Sequence, residues 1–304
     1  MMSFAALRQS GSGLLSDRMK RALRARYTVA KKRIVHSLLA YDAAKLQARL
    51  RRAGIEEGDT LLVHANFNAE SGFRGTPKDL VNALAEAVGA SGNLLMVSIP
   101  FRGSAYDYLA QGKPFNVKKT MSMMGLATET FRRREGTLRS LHPTHPVLAL
   151  GKDAAWLVAD HERCLFPCGV GSPFDKFRQL RGKILFFDVS FGAITFFHHV
   201  EDLLKTRLPF PVYHDRQFTV TAIDSQGASH LVQTCTFNPG VARKADTLEQ
   251  QMVQDGRIRR GRVGNSRFTL VTAEDVVSSF TAMVDSGRYP YHVDGDDARV
   301  RHED

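Results

Sequence analysis

The densest run of chemistry-bearing side chains is Thr195-Phe-Phe-His198-His199-Val-Glu201-Asp202. On a helix, Thr195, His198 and Glu201 or Asp202 fall on neighbouring faces, at spacings of three and four. A histidine oriented by a carboxylate is the usual arrangement of a general base. The same spacing suits a core histidine or an ordinary ion pair near a helix start, and spacing alone leaves both readings open. Cys164-Leu-Phe-Pro-Cys168 lacks the further ligands a structural zinc needs, and Pro143 disturbs helical ligand spacing in His142-Pro-Thr-His145. No metal site is expected. The chain has no phosphate-binding glycine loop, no dinucleotide fingerprint, no nucleophile elbow and no HExxH.

The elements around that run set its position. Residues 184–187 read as a buried strand and residues 188–193 as a short turn, so Thr195 to Asp202 opens a helix at the carboxyl end of a strand. In open α/β sheets, ligands bind at that edge. Upstream, a helix from Ala43 to Arg52 stops at Gly54, and a turn leads into the strand Leu61-Leu-Val-His64. Thr76 is a candidate cap and Pro77 suits a first helical position; Leu94-Leu-Met-Val97 is another buried strand. Alternating helices and strands over residues 45–210 predict an α/β body with a central, mostly parallel sheet flanked by helices. Residues 212–240 are richer in strand patterns, and a β-rich insertion is expected there.

Composition bounds the rest. The 304 residues are 43% hydrophobic and 24% charged, which suits one large domain or two modest ones. No apolar run reaches the roughly 18 residues of a membrane span. The three cysteines fit a reducing cytoplasm, and no secretory pattern opens the chain. The net charge of +11 is localised: residues 1–54 carry 13 Lys and Arg against Asp17 and Asp42, and the remainder balances. A nucleic-acid enzyme would spread such charge over its working face, so no nucleic-acid partner is expected. The expected organisation is a basic arm over residues 1–40, a catalytic-type domain over 41–293 and a charged tail over 294–304. Basic residues between apolar ones predict an amphipathic helix over residues 17–39. It suits either a solvated face or peripheral contact with an anionic membrane, here the inner face, or an acidic partner.

Several blocks, in order, resemble the aminoglycoside 3-N-acetyltransferase family over about residues 45–293. They are Gly58-Asp-Thr-Leu-Leu-Val-His64-Ala, Gly92-Asn-Leu-Leu-Met96, Met124-Gly125-Leu with Glu129-Thr-Phe-Arg132, and Arg139-Ser-Leu-His142-Pro143 with Ala149-Leu-Gly151. Gly171-Ser-Pro173 with Lys176, Thr195-x-x-His198-x-x-Glu201 and Gly256-Arg-Ile-Arg-Arg-Gly261-Arg-Val263-Gly264 complete the set. Departures from the family pattern fall at Ala65-Asn66, Pro146, Asp188 and Gly192, near the expected cofactor loop and site mouth.

The resemblance implies direct acetyl transfer from acetyl-CoA to a primary amine, without a metal or a covalent acyl-enzyme. It assigns His198 as base, Glu201 as its orienting carboxylate and Thr195 as a donor or substrate contact. His64, Ala65 and Asn66 would meet the cofactor, and Arg139 and His142 would touch it or build the site wall. The body is neutral, with no dense acidic cluster for a polycation. An amino-sugar or related amine is therefore the expected acceptor. A resistance enzyme acting on aminoglycosides and a non-catalytic CoA- or ligand-binding member of the fold are the alternatives. The expected location is cytoplasmic, and a homodimer is compatible with the sequence.

Overall fold

The computed structural model describes Met19, Val35, residues 37–68 and residues 70–293. The helix expected over residues 17–39 lies mostly outside the described residues, and the tail from residue 294 wholly so. The first elements are α1 (Ala43–Arg52), β1 (Thr60–Ala65), α2 (Pro77–Val88), β2 (Asn93–Val97), α3 (Ala105–Ala110), β3 (Phe115–Asn116), α4 (Leu126–Arg132), β4 (Leu138–Arg139) and β5 (Val147–Gly151). They are followed by α5 (Ala154–Val158), α6 (Pro173–Gln179), β6 (Lys183–Phe187), α7 (Phe197–Leu204), β7 (Tyr213–Ile223), β8 (Ser229–Phe237) and β9 (Val241–Arg243). The last are α8 (Ala245–Gln254), β10 (Arg259–Val263), β11 (Ser266–Thr272), α9 (Ala273–Asp285) and β12 (Tyr291–Val293).

Local chemistry explains the boundaries. Asp42 caps α1 by accepting from the Lys45 N–H, and Leu46 and Leu50 are the residues α1 buries. Thr76 and Asp79 form a reciprocal capping box at α2, with Pro77 in the first turn, where no intrahelical N–H bond is lost.

The main sheet has the order β10-β11-β6-β1-β2-β5-β4. β1 pairs in parallel with both β2 and β6, whereas β5 and β11 run antiparallel to their neighbours. Five of the seven strands therefore point one way, with β5 and β11 reversed. Successive residues of β1 serve opposite faces: Leu61 and Val63 join the core under α1, α2 and α4, while Leu62 joins the core under α6, α7 and α9. β6 divides in the same way, with Leu185 and Phe187 on one side and Ile184 and Phe186 on the other. Helices thus cover both faces, the arrangement central parallel strands require.

β7 and β8 form a hairpin within the segment expected to be strand-rich, and β3, from far upstream, adds to it in parallel to make a second sheet. The buried Arg139 links the two sheets. Its guanidinium donates to the carbonyls of Ser98, Val117 and Thr120 and lies 4.8 Å over the Phe115 ring. β1, β2 and β6 end at one edge, and the chain from β6 turns there into α7.

Candidate active site

Two adjacent phenylalanines seat α7. Phe196 meets Phe177 edge-on at 5.6 Å, and Phe197 meets Phe280 and Tyr291 at 4.9 and 5.6 Å. His199 turns inward and donates from Nδ1 to the Cys168 carbonyl, 2.8 Å away. Asp202 accepts from the Tyr213 hydroxyl at 2.9 Å and from Lys205 Nζ at 3.0 Å. With these contacts made, His198 is left at the edge of the protein interior, its side chain 22% exposed.

His198 Nδ1 lies 2.5 Å from Glu201 Oε2, and the Glu201 side chain is fully buried. A carboxylate there fixes the proton on Nδ1 and leaves Nε2 as the basic lone pair. Arg243 of β9 holds the carboxylate from the other side: its Nε lies 3.0 and 3.2 Å from the two Glu201 oxygens. Its remaining N–H groups donate to the carbonyls of Asn238, Val241 and Val212. The strand register sets Tyr291 of β12 opposite Arg243, and Tyr291 is packed close to Glu201. Burial first, and the Glu201 charge next, push the Tyr291 phenol upward.

Phe237, at the end of β8, stacks on the His198 ring at 4.0 Å and 20°. The stack continues through Tyr213 at 5.2 Å to Phe166 at 4.2 Å, with Lys205 Nζ 4.3 Å from the last ring. His198 is therefore held by a carboxylate at one nitrogen and by a ring against its face.

Of the other sequence-derived residues, only Thr195 has a hydrogen bond to the dyad among the described residues. Thr195 is buried one turn earlier, and its carbonyl accepts the His198 backbone N–H at 3.0 Å. His64 and Ala65 end β1, followed by the exposed Asn66, whose N–H donates to the Phe187 carbonyl. His64 stacks on Phe186 at 5.3 Å, and burial pushes its imidazole down to about 4. Arg139 and His142 both face inward. His142 is stacked on His161 at 4.5 Å, and its Nδ1 accepts the Thr144 N–H. The cysteines offer no nucleophile of this kind, since burial pushes Cys168 well above the ordinary thiol range and Cys164 up to about 11.

Sequence reasoning missed Phe237 and Arg243 and gave His145 no catalytic part. His145 lies edge-on to His198 at 6.0 Å and to Phe237 at 5.4 Å. None of the three contacts has a sequence signal, because each joins separate elements. Among the described residues, no group of His, Cys, Asp and Glu has the arrangement of a metal site. A groove of about 700 Å³ between α2 and α4, lined by Lys78, Asn82, Arg133 and Arg134, contains none of the dyad residues.

The family model described as aminoglycoside 3-N-acetyltransferase matches residues 62–285. Aminoglycoside N(3)-acetyltransferase III of Pseudomonas aeruginosa is 29% identical over 257 residues, covering 78% of this chain and 91% of that protein. Aminoglycoside N(3)-acetyltransferase VII of Streptomyces paromomycinus is 26% identical over 255 residues, covering 77% and 88%. Among solved structures, AAC-VIa bound to sisomicin superposes with a TM-score of 0.68 at 25% identity, covering 82% of this chain and 99% of that one. AAC-IIIb in a binary complex with CoASH superposes with a TM-score of 0.69 at 24% identity, covering 82% and 98%. With its α/β sheet and this match over most of its length, the chain belongs to the aminoglycoside 3-N-acetyltransferase family.

Proposed function

We propose that this chain is an acyltransferase that moves the acetyl group of acetyl-CoA to a primary amine of an amino-sugar or related acceptor, with His198 as general base. The observation that carries the reading is the His198–Glu201 contact at the carboxyl edge of the sheet, clamped by Arg243.

A CoA thioester suits this edge. His64 Nε2 in β1 and Ser98 Oγ just after β2 are buried polar atoms without a partner among the described residues. His64, Ala65 and Asn66 would line the bound cofactor, with Arg139 and His142 one layer behind as wall. When bound, acetyl-CoA supplies an activated acetyl group and a thiolate leaving group.

An amine arrives as an ammonium and cannot attack until it loses a proton. His198 Nε2 takes that proton, and buried Glu201 stabilises the imidazolium through Nδ1. Thr195 is assigned as hydroxyl donor to the oxyanion, on the strength of its place one turn before His198. Over one cycle the C–N bond forms and the C–S bond breaks. One amine proton ends on sulfur and one in solvent, and His198 is returned to its neutral form.

The choice of acceptor rests on the nearest carboxylates. Glu201 is paired with His198 and Arg243, and Asp202 with Tyr213 and Lys205. Neither is offered to a polycation, which favours an acceptor of lower charge. The relatives' names favour a second reading, acetylation of aminoglycosides. Free thiol release from acetyl-CoA with a panel of amino-sugar nucleotides and aminoglycosides separates the two, with His198→Ala as control. Release that depends on one amine and is lost in the variant is expected. Acetyl-CoA binding without turnover on any amine would leave the non-catalytic alternative. The basic charge of residues 17–39 supports peripheral contact with the inner membrane face of a cytoplasmic enzyme. Co-sedimentation with anionic vesicles tests that contact, and light scattering tests a homodimer.

A further inference from the structure

A second imidazole, His145, lies edge-on to His198 at 6.0 Å, and its proton can be placed by elimination. His142 Nδ1 accepts the Thr144 backbone N–H at 3.3 Å, so it carries no proton. The Thr144 hydroxyl lies 3.3 Å from the same nitrogen and 3.0 Å from His145 Nδ1. If the hydroxyl donated to His145, two lone pairs would face each other at His142. The arrangement that satisfies both contacts has the hydroxyl donating to His142 and His145 Nδ1–H donating to the hydroxyl. His145 Nε2 is then a lone pair, and it has no hydrogen-bond partner among the described residues.

The two histidines differ in what stands behind them. His198 is backed by the Glu201 carboxylate, with Arg243 and Tyr291 beyond it. His145 is backed by the neutral Thr144 hydroxyl, with His142 and His161 behind that. Facing it from other elements are His198, Phe237 and Phe101. Burial, reinforced by His198, His161 and Arg243, pushes His145 well below the ordinary imidazole range. The first is a base, and the second is an acceptor that stays unprotonated.

An attacking primary amine has more N–H bonds than one base can accept. We propose that His145 Nε2 accepts a second N–H of the acceptor amine, so that the nitrogen is held between two imidazoles while His198 removes its proton. His145 is thus a substrate-contacting residue. The inference rests on His198 being the base, and the two can fail separately.

The test uses His145→Phe, which keeps a flat ring and loses the acceptor, and His145→Gln, whose amide oxygen restores one. Both are assayed by thiol release over a range of pH, with acetyl-CoA affinity and melting temperature measured in parallel. The expected result for His145→Phe is a fall in kcat/KM for the amine of about 10- to 100-fold, the weight of one hydrogen bond to a charged group. Acetyl-CoA affinity and the position of the acidic limb of the pH profile stay unchanged. His145→Gln recovers at least tenfold of a 100-fold loss, or most of a smaller one. Wild-type kcat/KM for the amine in His145→Phe overturns the proposal. So does a displaced acidic limb, or a Gln variant as impaired as the Phe variant. If the Phe variant does not fold, the Gln variant decides: near-native amine kinetics support the contact, and a loss equal to that of His198→Ala overturns it. Activity retained in His198→Ala would instead overturn the assignment of the base and leave the His145 result to be read on its own.

Discussion

Replacing Arg243 by Met would leave the fully buried Glu201 carboxylate without its cation and remove the donors to three main-chain carbonyls. Removing one partner of a buried ion pair costs about 3–5 kcal/mol. At roughly 2 °C per kcal/mol for a domain of this size, the melting temperature should fall by about 6–10 °C. The effect on catalysis follows from geometry. With Arg243 gone, Glu201 is held on one side only, the His198 ring loses its fixed orientation, and kcat should fall about tenfold. The check is a thermal melt together with steady-state thiol release. Glu201→Gln with Arg243→Met supplies a control: with neither charge left, much of the stability returns, while activity stays low because the imidazole has lost its orienting carboxylate. A melting temperature within 2 °C of wild type and an unchanged kcat in Arg243→Met would refute this reasoning.

Three further outcomes are expected. Burial pushes His64 down to about 4 and His161 down to about 3, so the unfolded chain takes up protons below about pH 6.5 that the folded chain refuses. Stability therefore falls as pH drops from about 6.5 towards 3, and His64→Leu should flatten that fall by about 1.4 kcal/mol per pH unit between pH 6 and 4.5; an unchanged slope in urea denaturation counts against it. Asp188 has a left-handed backbone (φ 53°) and accepts from Ser266 Oγ and the Arg267 N–H. Asp188→Ala keeps the φ penalty and loses both bonds, at about 2–3 kcal/mol, whereas Asp188→Gly relieves the backbone and costs about 1 kcal/mol less; equal losses on denaturation exclude the strain. Phe237→Ala removes the ring stacked on His198, and kcat should fall about tenfold, as a misplaced imidazole would give, while the far-ultraviolet dichroism stays native; an unchanged kcat would show that the stack does not position His198.

What could be read from the sequence was local. Thr76 and Pro77 announce α2 because a cap and a first-turn proline act within four residues. The hydrophobic runs of β1, β2 and β6 announce central strands because both of their faces are buried. His198 and Glu201 could be paired because three residues along a helix place them side by side, and their side chains lie 2.5 Å apart. Arg243 lies 42 residues beyond Glu201, and only the seating of β9 on α7 brings them together. Phe237 and His145 reach the site by the same kind of long-range packing. Asp188, read only as a departure where the family usually has glycine, has a left-handed backbone and accepts two hydrogen bonds from β11.

The partnership of β9 with β12 also bears on how the molecule comes into being. Arg243 gains its neighbouring strand only when residues 291–293 are available to pair with it. On a ribosome, the nascent chain can form β1, β2 and β6 and present His198 well before that strand emerges. The strand that backs Arg243 arrives afterwards, at synthesis rates of about 5–20 residues per second. Partial chains would therefore hold His198 and Glu201 before β9 has its partner, and the site reaches its final rigidity late in translation.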